Sequence, residues 1–178
     1  MANLWILGNQ ESFRGIADRF NLSKGSLHYV FLQICQGLKN VRREFIRWPD
    51  NHQLVSIAEQ FGLISGFPGI IGAIDGTHIP IPGPSRFRAS YINRKGYPSI
   101  HLQAICDINL KFLDIFAGWP GSVHDARVYR NSPVNEYFSN GHLADNLHIV
   151  GDSAYPLSMN MMVPYRDNGH LTDIQKKI

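Results

Sequence analysis

Three aspartates at the ends of short apolar runs carry the clearest capacity for chemistry in this 178-residue chain. Asp75 closes the run at 70–74 (Ile-Ile-Gly-Ala-Ile), Asp152 follows His-Ile-Val-Gly at 148–151, and Asp125 opens Asp-Ala-Arg-Val at 125–128. Two carboxylates brought close together repel unless a cation sits between them. An all-oxygen donor set suits a hard divalent ion, Mg2+ or Mn2+. Such an ion activates water and stabilises a leaving oxygen, as phosphodiester cleavage requires. Each acid also has a plainer use. Asp75 before Gly76-Thr77 can form a turn, Asp152 before Ser153 can cap a helix, and Asp125 can complement a helix dipole. Asp107 and Asp114 read as hairpin and surface residues.

The surrounding pattern supplies the elements that must position these acids. A continuous apolar run at 70–74 has the form of a buried strand that delivers Asp75 at its tip. Residues 100–107 alternate, with Ile100, Leu102, Ala104 and Cys106 set against His101, Gln103 and Ile105. Residues 111–118 form a third strand, joined to the second by a hairpin turn at 107–110. Pro120-Gly121-Ser122 ends that strand, Ser122 can cap a helix from Val123 to about Arg130, and 148–150 is a fourth strand. This order allows the first and fourth strands to be parallel neighbours. Asp75 and Asp152 then meet at the carboxyl edge of the sheet, where open α/β sheets bind ligands.

Glycine and proline punctuate the chain from Gly62 onward and are sparse before it, so residues 1–62 read as helical and 63–178 as α/β. Within the helical part, residues 12–20 place Phe13, Ile16, Ala17 and Phe20 on one face. Asn21-Leu22-Ser23 makes a tight turn, with Asn tolerant of a left-handed conformation and Ser23 an N-cap. A second helix runs from Lys24 to about Leu38, with Leu27, Val30, Phe31 and Ile34 inward. The pair resembles a helix-turn-helix, Ala17 at the crossing and Leu22 plugging the corner. Lys24, Ser26 and His28 then stand on the leading turns that would meet DNA. An ordinary small helical bundle uses the same turn. Arg42, Arg43 and Arg47, expected on the next helix, are candidates for backbone phosphate.

Composition narrows the class. Seventeen basic and fourteen acidic residues leave a net charge of +3 and a pI near 9.0, a balance that admits nucleic acid without requiring it. Two cysteines, Cys35 and Cys106, argue against a disulfide scaffold or a cysteine-rich zinc site. No apolar run approaches the roughly 20 residues of a membrane span, and the N-terminus lacks a basic leader region, so a soluble intracellular protein is expected. Arg86, Arg88, Arg94 and Lys95 form the densest basic stretch, interleaved with Phe87, Tyr91 and Tyr97, as a DNA-tracking loop would need. An exposed loop between strands is the plain alternative. His78 and His124 stand close to key aspartates and suit phosphate contact or simple packing. Met159, Met161 and Met162 read as core, and no Gly-x-Ser-x-Gly elbow supports a serine hydrolase.

Three segments are similar to Harbinger/PIF-type DDE transposases and to the domesticated Harbinger-derived nucleases of animals. They are 72–79 (Gly-Ala-Ile-Asp-Gly-Thr-His-Ile), 118–128 (Gly-Trp-Pro-Gly-Ser-Val-His-Asp-Ala-Arg-Val) and 151–157 (Gly-Asp-Ser-Ala-Tyr-Pro-Leu). The spacings of 50 residues between Asp75 and Asp125, and 27 between Asp125 and Asp152, agree with that resemblance. So do Asn-Arg-Lys-Gly-Tyr at 93–97 and Tyr-Arg-Asp-Asn-Gly-His-Leu-Thr at 165–172. The resemblance covers the chain from about residue 67 onward. It implies an α/β, ribonuclease H-like mixed sheet behind the small all-α head, and a divalent-metal site of Asp, Asp and Glu acting on DNA.

Carried over residue by residue, the resemblance makes Asp75 and Asp152 the catalytic acids. Asp125 joins them as a further carboxylate at Mg2+ or Mn2+. The family's third acid, a Glu on a later helix, has no counterpart here. Glu136 lies in the wrong interval and Asp173 is too near Asp152, so the sheet domain reads as truncated at its C-terminal end. The expected function is a metal-dependent DNA endonuclease of transposase origin. The alternative is a catalytically inactive DNA-binding or adaptor protein that kept the fold, and a small-substrate phosphatase ranks below both. The resemblance further implies a nuclear location, with the cytoplasm second, and a partner bearing a Myb-like DNA-binding domain.

Overall fold

The protein was analysed as a computed structural model, which describes residues 1–9, 11–165, 169, 171 and 172. The family-like run at 165–172 therefore lies partly outside the described residues, and Asp173 wholly so. The chain divides into two compact units, Met1–Phe45 and Ile46–Ile178, and its helices run to Ser65 before the first strand opens at Ile70.

The first unit holds α1 (Ala2–Gly8), α2 (Phe13–Arg19) and α3 (Lys24–Phe45). Ala2, Ile16, Ala17 and Leu27 form its buried centre, flanked by Ile6, Phe13 and Phe20. Ser12 caps α2 by accepting from the Gly15 amide at 3.2 Å, and Ser23 accepts from the Ser26 amide at 3.0 Å. Asn21 between them takes the expected left-handed conformation, at φ 50°. The turn is thus as the sequence implied, but α3 continues well past Leu38 and already contains Arg42 and Arg43. Nothing from Leu38 to Phe45 interrupts a helix, whereas Pro49 restricts the backbone just ahead of it. Arg47 lies beyond α3, outside any helix. Leu22 and Val30, expected inward, are largely exposed, because two one-to-two-turn helices cover only a narrow stripe of α3 centred on Leu27.

The second unit opens with α4 (Asn51–Ser65), whose Asp50 and Gln53 form a reciprocal capping box. Gly66 ends α4 in the left-handed conformation. Then come β1 (Ile70–Pro80), α5 (Arg88–Tyr91), β2 (Ser99–Cys106), β3 (Phe112–Pro120), α6 (Asp125–Arg130), α7 (Pro133–Ser139), β4 (His148–Val150) and β5 (Met161–Met162). The sheet order is β3-β2-β1-β4-β5, with β1–β2 and β2–β3 antiparallel and β1–β4 and β4–β5 parallel. This is the mixed α/β, ribonuclease H-like arrangement. The hairpin between β2 and β3 forms as expected, with Asp107 Oδ1 accepting from the Asn109 and Lys111 amides at 2.9 Å each.

One core joins the sheet to its helices. Ile71, Ile74, Ile105 and Ile149 meet Leu54 and Ile57 of α4, Tyr129 of α6, and Val134 and Phe138 of α7. Ile149, fully buried on the short β4, anchors the strand that leads to Asp152. Ile149→Ala is expected to lower unfolding free energy by about 2–5 kcal/mol, read from the denaturant midpoint.

Two local expectations are corrected. First, β1 runs to Pro80, so Asp75 stands within the strand instead of at its tip. Pairing to β2 carries β1 onward, from Asp75↔Ala104 to Pro80↔Ser99, after β4 has ended. Second, α6 begins at Asp125 with His124 at the N-cap, not at Val123 under Ser122. The Val123 amide is held by the Pro120 carbonyl at 3.0 Å, which keeps the chain in a turn there. The alternation of β2 forms as expected, with Ser99, His101, Gln103 and Ile105 as its fully buried set.

Candidate functional site: carboxylates around Gly76

The last ladder pair between β1 and β4 is Ala73↔Val150. Two residues further along the chain from each partner stand Asp75, still within β1, and Asp152, just past β4, so parallel pairing delivers both to one end of the β1–β4 seam. Each carboxylate spends one oxygen locally. Asp75 Oδ1 accepts from the Gly76 amide at 2.7 Å, and Asp152 Oδ1 accepts from the Ala154 amide at 2.9 Å. Both side chains are exposed, leaving their second oxygens turned to solvent or a ligand.

Asp125 is engaged differently. As the first residue of α6 it lies against Gly76, and an added Cβ there would meet its carboxylate. His101 Nε2 approaches Asp125 Oδ1 at 2.9 Å, though its N–H does not point squarely at that oxygen. The His101 contact is the main reason that the Asp125 carboxyl is held below the usual carboxylate range, against the opposing effect of burial. Arg94 adds a weaker push in the same direction. Asp125 is therefore an anchored anion.

Behind this contact runs a chain of polar groups that sequence reading missed. His101 is 2% exposed and packs edge-on against His78, with ring centroids 5.2 Å apart. His78 Nδ1 meets Ser99 Oγ at 3.2 Å, and Asn93 Nδ2 donates to Ser99 Oγ at 3.0 Å. Gln103, paired across the sheet with Gly76, buries an amide that has no hydrogen-bond partner among the described residues. Tyr155 is 2% exposed, and its buried hydroxyl likewise has none among them. Burial first, then the charges of Asp125, Asp75 and Asp152, push the Tyr155 hydroxyl well above its ordinary value. All three aspartates are thus within electrostatic reach of one buried hydroxyl. His101 and Gln103 stood in plain alternation in the sequence, but alternation alone does not say which face of a strand is buried.

The basic candidates divide by unit. Arg94 and Lys95 lie on the β1–β2 connection and act electrostatically on His78, and Arg94 also acts on Asp125. Arg86 and Arg88 stand exposed on the same connection. Lys24, Ser26 and His28 belong to the helical unit. There Ser26 Oγ receives from Ser23 Oγ at 2.8 Å, and His28 packs against Phe13 at 5.3 Å between centroids.

The donor set can be tested against a divalent ion. Among the described residues no three His, Cys, Asp or Glu side chains converge as ligands on one point. Two exposed carboxylates on adjacent strands nevertheless fit Mg2+ or Mn2+. Mg2+ keeps several waters and is commonly held by one or two protein carboxylates. Asp75 and Asp152 are the groups that fit this role, while the Asp125 contact with His101 sets it apart.

Acid should weaken this unit in a defined window. Burial, reinforced by His101, lowers the His78 pKa below 6.5, and burial lowers that of His148 likewise. A depressed histidine favours the fold in its neutral form, so stability falls as pH drops through 6.5 toward the folded values. Asp125, held low, adds a further loss only below its ordinary value of about 3.8. A melting temperature level from pH 8 to 7 and declining between pH 6.5 and 5 is the expected profile. A flat profile to pH 5 would contradict it.

Comparison with known proteins supplies the family. Residues 74–177 match the family described as DDE superfamily endonuclease. HARBI1 of Rattus norvegicus, whose name marks it as a proposed nuclease, is 30% identical over 150 residues, covering 84% of this chain and 43% of that protein. The Homo sapiens protein of the same name is 29% identical over the same shares. The protein ALP1-like of Arabidopsis thaliana is 30% identical over 174 residues, 90% of this chain and 42% of that protein. The chain spans under half the length of these curated relatives. No solved structure matches it. The match across the segment that carries Asp75, Asp125 and Asp152 is the ground for the assignment: the chain belongs to the DDE superfamily endonucleases, in the Harbinger-type group derived from transposases.

Proposed function

We propose that the sheet unit is the carboxylate-bearing part of a divalent-metal-dependent endonuclease that cleaves DNA, with Asp75 and Asp152 as its catalytic acids. The observation that carries this reading is their side-by-side delivery just past the last β1–β4 pair. A divalent ion held there supplies an activated water and stabilises the leaving oxygen. The chain's own residues do the rest. Gly76 and Ala154 amides orient the two carboxylates, and the buried His101 fixes Asp125 beside them. Arg94 and Lys95 offer positive charge to a phosphate backbone near that negative cluster.

A second reading, DNA binding without cleavage, is favoured by the engagement of Asp125 with His101, which leaves two carboxylates for an ion. Supercoiled DNA incubated with the full chain separates the two. Nicking in Mg2+ or Mn2+ that EDTA abolishes is the expected result. Binding without nicking favours the second reading, and neither binding nor nicking overturns both. A nuclear location and a Myb-like partner accompany the first reading, and co-purification from nuclear extract with such a partner tests them.

A further inference from the structure

Phe87 is the most exposed phenylalanine, tyrosine or tryptophan among the described residues, at 81% of its surface. It also stands in the left-handed region, at φ 55° and ψ 30°. A bulky aromatic side chain is disfavoured in that conformation. Here backbone strain is not offset by burial of the ring. The side chain is instead presented by its surroundings.

Those surroundings are well fixed. Phe87 is the N-cap of α5, and its carbonyl accepts from the Ser90 amide at 2.9 Å. The arc begins where the Ile81 amide donates to the Pro98 carbonyl at 3.0 Å, closing both ends of the connection together. Arg88 folds back toward Gly83, where an added Cβ would come within 2.9 Å of its Cζ. The Ser90 carbonyl accepts from the Ser122 amide at 3.2 Å, so α5 is tied to the turn that leads into Asp125. The ring is thus held on the framework that carries the candidate site.

The chemistry around Phe87 selects its partner. Ser85, Arg86, Arg88, Ala89 and Ser90 are all exposed beside it. A protein partner would ask for a contiguous apolar patch, which these neighbours do not form. One aromatic face among cations matches one base plane and its flanking phosphates.

We propose that Phe87 is a stacking platform for a single unpaired DNA base, with Arg86, Arg94 and Lys95 on the neighbouring phosphates. This rests on the DNA reading of the same unit. The test measures binding of the full chain by fluorescence anisotropy, using a short duplex and the same duplex with one extra unpaired adenine. The unpaired base should tighten binding about tenfold, toward the lower end of what a stacked base contributes. Phe87→Asn suits the left-handed backbone and should keep the melting temperature. It should bind both duplexes alike, without the gain from the unpaired base. Phe87→Trp should retain the preference.

Equal binding of both duplexes by the wild type, or a preference that survives in Phe87→Asn, overturns the platform. It leaves the DNA reading intact. Failure to bind either duplex overturns the DNA reading itself, and the platform with it.

Discussion

Asp75→Asn should lower metal-dependent nicking by at least about a hundredfold while leaving the fold and DNA affinity in place. The asparagine oxygen can still accept from the Gly76 amide, so the local strand geometry has no reason to change. The loss is one negative charge at an exposed position on the β1–β4 seam. A metal ion contributes several kcal/mol of charge stabilisation in the transition state, and each 1.36 kcal/mol is a factor of ten. Asp152→Asn should behave alike, and the double variant should lose little more, because both acids serve one ion. Mn2+ titration gives an independent reading, with affinity down about tenfold or more in either variant. Unchanged nicking and unchanged Mn2+ affinity in Asp75→Asn would remove this pair from the site.

Gly76→Ala should destabilise the sheet unit through a clash beside the site. A Cβ at this position would meet the Asp125 carboxylate and approach His101 Nε2 at 2.6 Å. Both neighbours are held, His101 by burial in the sheet and Asp125 by the first turn of α6. Overpacking of this kind costs about 1–3 kcal/mol, or several degrees of melting temperature in a chain this size. The effect should be coupled: Asp125→Ala removes the obstructing carboxylate, so the double variant should lose less than the two single losses combined. Strict additivity would mean that Gly76 and Asp125 do not touch in solution. Gly151 is similarly confined, with an added Cβ only 2.8 Å from Ile74 Cγ2 and 3.0 Å from Tyr155 Cδ2.

The parts of the fold that were legible are those written in local chemistry. Asn21 and Ser23 specify a turn and a cap through their own side chains, and both form. Asp107 specifies the hairpin by accepting two amides within its own loop. Short apolar runs bounded by glycine and proline located β1 to β4. What failed depended on distant partners. The end of β1 is set by β2, which keeps pairing to Pro80, and the buried face of β2 is set by what lies against it. His101 and Gln103 go inward, where Asp125 and His78 meet the His101 ring and Gly76 pairs with Gln103 across the sheet.

The candidate site divides in the same way. The types and spacings of Asp75, Asp125 and Asp152, together with the order of strands, were enough to imply two carboxylates on neighbouring parallel strands. That inference needs only chain order and the preference for short, regular connections. The pairing of Asp125 with a buried histidine from β2 was beyond such reasoning. So were the buried hydroxyl of Tyr155 and the confinement of Gly76. These depend on side chains from four separate segments meeting in three dimensions. By itself the sequence determined which residues could do chemistry and which strands would carry them. Only the tertiary structure decided which of those acids is anchored and which stand free, because burial and hydrogen bonding are properties of the packed neighbourhood.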